Sequence, residues 1–175
     1  KYPQSMIYVD DAHGIGVIGK NGRGTADYFG VTKNINFIMG TFSKALASIG
    51  GFVASDDEDL MLHLKHTSRT LIFSAALPAS STAAVLAALD IIEKEPERIK
   101  RLHENATYMR ENYRRIGIEI GKGIIPILPI PIGNESTAYS FASELLKNGV
   151  FAMPAVHPAV LRGCAIIRSA CMATY

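Results

Sequence analysis

The stretch INFIMGTFSKALASIGGFVAS, residues 35–55, contains two apolar runs separated by a short polar segment and two glycines. This pattern predicts two strands joined by a tight turn that carries Lys44 between Ser43 and Ser48. A lysine held between two apolar strands is poorly placed for a purely solvated role, so we expect it at a functional site. The alternative is a lysine at a strand end whose stem packs while its amine reaches water.

A second candidate region lies upstream, where residues 6–10 (MIYVD) predict a strand that ends in Asp10 and is followed by Asp11, His13 and a glycine-rich loop. Functional sites of α/β sheets lie at the carboxyl ends of strands. Because side chains alternate along a strand, the two acids should point opposite ways and one can face a ligand. A capped turn or a metal-ligand pair would give the same residues, but no further His or Cys cluster supports a metal, and we expect none.

The rest of the chain alternates between helical and strand patterns. It indicates an α/β part, residues 1–95, and a smaller α+β part, residues 96–175, with a largely antiparallel sheet. The expected helices cover 56–66, 77–95, 96–115 and 137–149, and the expected strands cover 124–132, 150–154 and 164–170.

Composition excludes several classes of protein. Hydrophobic residues make up 48% of the 175, which excludes a disordered chain, and a net charge of +2 disfavours a nucleic-acid partner. No apolar stretch has the length of a transmembrane segment. Without such a stretch we expect a soluble protein. Cys164 and Cys171 are too few for a disulfide scaffold, so we expect a reducing, cytoplasmic location. The sequence lacks an initiator Met and enters a predicted strand almost at once, so we expect it to be the C-terminal half of a longer protein.

Nucleotide-binding loops are a poor match to the glycine-rich segment. GIGVIGKNGRG, residues 14–24, lacks GxGxxG in the register that opens a helix and lacks GxxxxGK[ST]. A lysine amine that forms a Schiff base, with an acid on a pyridinium nitrogen, is instead the arrangement of pyridoxal 5'-phosphate (PLP) enzymes.

The strings VDDAHGIGVIGKNGRG, GTFSKALASIGGF and TLIFSAALP together resemble the α-oxoamine synthase family, which belongs to the fold-type I PLP enzymes. The stretch from Thr41 to Gly50 matches the class-II aminotransferase attachment pattern for PLP. Within the family the chain resembles bacterial serine palmitoyltransferase most, then 8-amino-7-oxononanoate synthase and 2-amino-3-ketobutyrate CoA ligase. The resemblance implies the second half of an aspartate aminotransferase-like large domain followed by a small C-terminal domain.

The resemblance also implies a role for individual residues. Lys44 corresponds to the lysine bound to PLP, Asp10 to the acid at its ring nitrogen, His13 to the histidine at its ring oxygen and Thr41 to a phosphate contact. Arg168 corresponds to the arginine that holds the substrate carboxylate, a task suited to its planar fork; from sequence alone it would be an edge-strand arginine in a surface ion pair.

Ser74 corresponds to a hydroxyl that reaches the phosphate in the partner subunit, which implies a homodimer with a shared active site. Two residues depart from the family pattern. Ala75 stands where some relatives carry a second polar group, which puts the strength of that contact in doubt, and Tyr175 stands where many have histidine. His66 and His157 are interpreted as surface or packing residues.

The implied activity is condensation of serine, glycine or alanine with an acyl-CoA, with loss of carbon dioxide, to give an α-amino ketone. The implied catalytic residues are Lys44, His13 and Asp10. The alternative is an aminotransferase or lyase, since Lys44 and Asp10 serve those reactions equally. We expect the 175 residues alone to be inactive.

Overall fold

The computed structural model describes residues 5–175 and separates into two compact units, Lys1–Ile99 and Lys100–Tyr175. The sequence places the boundary near residue 95, and the division between units lies slightly beyond it. In chain order the elements are β1 (Tyr8–Asp10), α1 (Thr25–Tyr28), β2 (Phe37–Thr41), β3 (Gly51–Ala54), α2 (Glu58–Thr67), α3 (Arg69–Ile72), α4 (Ala79–Lys94), α5 (Glu97–Arg115), β4 (Ile127–Gly133), α6 (Glu135–Lys147), β5 (Met153–Ala155) and β6 (Ala165–Ala170).

The first unit contains a three-stranded sheet in the order β1-β2-β3. β1 runs parallel to β2 with Asp10 opposite Met39, and β2 runs antiparallel to β3 with Thr41 opposite Gly51. Parallel strands bring their carboxyl ends to the same edge of a sheet. Asp10 and Thr41, the last residues of β1 and β2, therefore lie at one edge.

One helix in each unit begins with a side-chain cap. The Asp57 carboxylate accepts a hydrogen bond from Leu60 N at 3.0 Å at the start of α2. The Asn134 side chain accepts from Ser136 N and Thr137 N at the start of α6. Each cap satisfies amides that the first helical turn leaves without a carbonyl partner.

The second unit contains an antiparallel sheet in the order β4-β6-β5, as the sequence predicts. β4 is an edge strand, which fits its exposed Pro129 and Pro131 because proline has no amide hydrogen for a second partner. The buried Leu128 and Ile130 alternate with these prolines and face the core. That core contains Ala106, Ile120, Leu128, Ile130, Ile167 and Cys171.

The structure confirms the positions of the predicted strands and longer helices. The sequence missed the two four-residue helices, α1 and α3, which are too short to show a periodic apolar pattern. Within residues 5–175, no helix is long and apolar enough to cross a membrane. Cys164 and Cys171 are unpaired thiols, and the reducing compartment expected from them stays a prediction.

Candidate functional site

Lys44 lies exposed in the turn between β2 and β3. The turn begins with a hydroxyl pair, since Thr41 Oγ1 and Ser43 Oγ are 2.9 Å apart and Ser43 N donates to Thr41 Oγ1 at 3.2 Å. Ala47 N then donates to the Lys44 carbonyl at 3.0 Å. These bonds fix the backbone on both sides of Lys44 and leave its amine on the surface.

The Lys44 turn is also attached to the protein beneath it. Leu46 is 2% exposed, and Ser48 Oγ donates to the Ser81 carbonyl of α4 at 2.9 Å. Gly50 has a φ of +97°, and a Cβ there would lie 2.6 Å from Leu77 Cδ2. A side chain at residue 50 would therefore need both a strained backbone and a shifted neighbour.

The adjacent acids Asp10 and Asp11 have opposite environments, as strand alternation predicts. Asp11 is 2% exposed, and its carboxylate accepts hydrogen bonds from Thr25 N at 2.8 Å and from Thr25 Oγ1 at 2.5 Å. Asp10 is exposed, and its Oδ1 accepts from Ala12 N at 3.0 Å. The capped-turn interpretation therefore describes part of the role of both acids, but only the Asp10 carboxylate is accessible.

The glycine-rich loop passes directly beside the Lys44 turn. A Cβ built on Gly16 would lie 2.6 Å from the Cβ of Ala45, the residue after Lys44. The same loop begins in the turn closed by Gly14 N and the Asp11 carbonyl, at 2.9 Å, which carries the exposed His13. The chain segment that carries Asp10 and His13 thus packs against the segment that carries Lys44.

Two residues assigned by resemblance lie on other elements of the chain. Arg168 is exposed on β6, opposite Pro129 on one side and Met153 on the other. The edge-strand interpretation of Arg168 is therefore wrong, because β6 is the central strand of its sheet. The Ser74 hydroxyl follows α3 and donates to the Thr70 carbonyl, in a segment whose residues 69–80 are all exposed.

The side chains at this edge of the first sheet suit PLP. They comprise the carboxylate of Asp10, the amine of Lys44 and the hydroxyls of Thr41 and Ser43, all on accessible or half-buried residues. A carboxylate can hold a protonated ring nitrogen, hydroxyls can bind a phosphate and an amine can bond to an aldehyde. In the part of the chain that the structure describes, no group of three or more His, Cys, Asp or Glu side chains is arranged for a metal ion.

The residues that support the site from within the protein were not predicted from the sequence. The Thr25 contact to Asp11 and the Ser81 contact to Ser48 join positions 14 and 33 residues apart. The feature of the sequence that could have indicated the contact between Thr25 and Asp11 is the glycine-rich loop, in which Gly14 and Gly24 leave room for the Asp11 carboxylate. A Cβ at Gly14 or Gly24 would lie 1.9 or 2.0 Å from one of its oxygens.

The chain is similar to known proteins over nearly its whole length. The family model described as aminotransferase class I and II matches residues 1–174. The chain is 44% identical over 171 residues to a serine palmitoyltransferase of Bacteroides thetaiotaomicron, covering 98% of this chain and 43% of that protein. It is 41% identical over 170 residues to an 8-amino-7-oxononanoate synthase of Alkaliphilus metalliredigens, covering 97% of this chain and 42% of that protein. The chain thus spans less than half the length of these relatives.

The fold is also similar to those of solved structures of these two kinds of enzyme. The serine palmitoyltransferase of Sphingomonas wittichii superimposes with a TM-score of 0.91 at 28% identity, over 98% of this chain and 43% of that one. The 8-amino-7-oxononanoate synthase of Francisella tularensis gives 0.84 at 28% identity, over 96% and 49%. A further structure, described as SPT with PLP, gives 0.91 at 29% identity, over 98% and 44%.

Proposed function

Because the chain belongs to the aminotransferase class I and II family, we propose that the full-length protein is a PLP-dependent acyltransferase that condenses a small amino acid with an acyl-CoA. The amino acid is serine, glycine or alanine, and the product is an α-amino ketone formed with loss of carbon dioxide. The observation that carries the proposal is the shared edge of β1 and β2, which gathers Asp10, Thr41 and the start of the Lys44 turn. The similarity to serine palmitoyltransferases and 8-amino-7-oxononanoate synthases supports the reaction class.

The proposed cofactor site uses the accessible side chains of the first unit, which we propose to be the second half of the PLP-binding domain. Asp10 would bind the ring nitrogen and keep it protonated, His13 would bind the ring oxygen, and Thr41 would donate to the phosphate. When bound, PLP supplies an electron-withdrawing ring that stabilises negative charge on the substrate α-carbon. The buried Asp11 takes no direct part, since both its oxygens face Thr25.

Lys44 has two proposed tasks. Its amine would hold the aldehyde carbon of the cofactor, and it would also serve as the base that takes the proton from the substrate α-carbon. The exposed position of Lys44 at the surface of the turn is compatible with both tasks. Arg168 binds the amino-acid carboxylate through its planar fork and so fixes the orientation of the substrate.

We further propose a homodimer in which Ser74 contributes to the phosphate site of the partner subunit. The segment around Ser74 presents large apolar side chains to solvent, with Phe73 81% exposed and Leu71 57% exposed. Exposed apolar surface of this kind is typical of a protein interface. The 175 residues alone are proposed to be inactive, because they span only 43% of the length of their serine palmitoyltransferase relatives.

A mixing experiment tests the shared site. Lys44→Ala and Ser74→Asp each inactivate the full-length protein, the second by placing a negative charge against the phosphate. When the two variants exchange subunits, one site of each mixed dimer has both native residues, so activity returns to about a quarter of the wild-type value. Absence of any return would place Ser74 and Lys44 in the same subunit's site or remove Ser74 from it.

Thiol release tests the reaction itself. Full-length protein loaded with PLP should release CoA from an acyl-CoA only when serine, glycine or alanine is present, and Lys44→Ala should abolish the release. Keto-acid formation from the amino acid without thiol release would instead support the alternative, an aminotransferase. Borohydride reduction followed by peptide mapping should label Lys44, and a label on another lysine would refute the cofactor assignment.

A further inference from the structure

The turn that carries Lys44 is fastened to α4 by a single side-chain hydrogen bond. Ser48 Oγ donates to the Ser81 carbonyl at 2.9 Å, across 33 residues of sequence, in half-buried surroundings. Ser81 lies in the first turn of α4, a 16-residue helix. We propose that Ser48 is a positioning residue for Lys44, acting through this hydrogen bond without touching the cofactor. This inference rests on the proposed function.

The backbone of the turn explains why a bond at residue 48 reaches Lys44. Ser48 N donates to the Phe42 carbonyl at 2.8 Å, which closes a loop around residues 43–47. Inside that loop, Ala47 N donates to the Lys44 carbonyl, and Ala47 has a φ of +49°. A non-glycine residue in the left-handed region is strained and keeps that conformation only where its surroundings hold it. The Ser48 side chain supplies such a restraint one residue further on.

Besides the hydrogen bonds within the turn, its contacts with neighbouring segments include apolar packing, which resists compression and leaves sliding possible. Leu46 is 2% exposed, and Gly16 lies against Ala45. Directional hydrogen bonds fix an orientation more sharply than apolar contacts do. Loss of the Ser48 hydroxyl is therefore expected to leave the turn folded and to broaden the set of positions open to the Lys44 amine.

The experiment measures how fast Lys44 bonds to the cofactor in the full-length apo protein. After rapid mixing with PLP, noncovalent binding is followed by covalent attachment, in which the amine nitrogen bonds to the aldehyde carbon and one water leaves. Both steps are visible in the absorption spectrum. Ser48→Ala should slow the covalent step about fivefold, the factor that corresponds to one ordinary hydrogen bond, while the affinity of the first step stays unchanged.

Thr82→Val provides the matched control. Thr82 Oγ1 donates to the Pro78 carbonyl at 3.3 Å, also in the first turn of α4, so this variant removes a hydroxyl from the same helix end without touching the Lys44 turn. It should attach PLP at the wild-type rate. If Ser48→Ala does not give folded protein, Ser48→Cys, whose thiol is a weak donor, provides the same comparison.

The outcomes separate this inference from the proposed function. Attachment at the wild-type rate in folded Ser48→Ala or Ser48→Cys, or equal slowing in Thr82→Val, would overturn the positioning role alone. Failure of the wild-type protein to attach PLP at Lys44 would refute the proposed cofactor site. A parallel loss of noncovalent affinity in Ser48→Ala would also count against the inference, since it would point to general loosening of the fold.

Discussion

Asp11 and Thr25 are joined by two hydrogen bonds, from the Thr25 amide and the Thr25 hydroxyl to the two oxygens of one carboxylate. The pair attaches the end of β1 to the start of α1 and closes the glycine-rich loop between them. Because Asp11 is 2% exposed, its carboxylate cannot reach a ligand on the surface. The contact therefore assigns a structural role to Asp11 and leaves Asp10 as the acid of the candidate site.

Replacing Asp11 with alanine should destabilise the protein, whereas replacing Asp10 should not. Asp11→Ala leaves the amide and hydroxyl of the half-buried Thr25 without their partner, at a cost of about 3 kcal/mol in the free energy of unfolding. Asp10→Ala changes an exposed residue and should stay within about 0.5 kcal/mol. Urea denaturation of the full-length apo protein measures both. Equal stability losses in the two variants would contradict the division of roles.

For PLP affinity, the important residue should be Asp10. Asp10→Ala should weaken PLP binding strongly, because the ring nitrogen loses its negative partner. This is measured by titrating PLP into the folded apo protein. Retention of wild-type affinity in Asp10→Ala would remove Asp10 from the cofactor site.

Gly24 should tolerate no side chain. In Gly24→Ala the new Cβ would lie 2.0 Å from Asp11 Oδ2 at a φ of +100°, so steric overlap adds to backbone strain. We expect a loss of at least about 2 kcal/mol. Gly30→Ala is the control, since Gly30 has a φ of +66° but no atom within 4 Å of the new Cβ, and strain alone should cost about 1 kcal/mol. A smaller loss at Gly24 than at Gly30, measured by urea denaturation, would contradict the packing around Asp11.

Cys171 should make stability depend on pH at alkaline values. Burial raises the pKa of the Cys171 thiol above the usual 9.0, although the nearby Arg110 charge opposes the shift. The unfolded chain then loses this proton at lower pH than the folded protein, so the contribution of Cys171 is complete below pH 9.0 and declines as pH rises through the folded pKa. The stability difference between wild type and Cys171→Ala should narrow over that range.

The exposed Cys164 supplies the control for this effect. Comparing Cys164→Ala with wild type in the same experiment measures how much of the narrowing is specific to the buried Cys171. A difference between wild type and Cys171→Ala that stays constant or widens above pH 9.0 would contradict the prediction.

Arg168→Lys should raise the KM for the amino acid about tenfold with a smaller change in kcat, because lysine cannot offer the paired donors of the guanidinium. Arg162→Lys, also exposed in the second unit, is the control and should leave both constants unchanged. Steady-state kinetics of the full-length enzyme give both values. An unchanged KM in Arg168→Lys would reject Arg168 as the carboxylate ligand.

The strand and helix pattern was accessible from sequence because it depends on local spacing. Alternation along β4 and the acids before α2 are properties of neighbouring residues, and both predicted their elements. α1 was not accessible, because its four residues are held by the distant Asp11 rather than by a periodic apolar face. The edge-strand interpretation of Arg168 was wrong for a related reason, since strand order depends on pairing between residues far apart in the chain.

The sequence by itself determined the kinds of group available for chemistry: a lysine in a turn after one strand, two acids at the end of another, and an attachment pattern that spans Thr41 to Gly50. Only the tertiary structure decided which acid is accessible, that the glycine-rich loop lies against the Lys44 turn, and that Ser48 fastens that turn to α4. The physical reason is that alternation along a strand predicts opposite directions for the side chains of Asp10 and Asp11 but does not predict which of the two is buried. That choice depends on Thr25, and the other two contacts depend on Ala45 and Ser81; all three are partners that only the folded chain brings close.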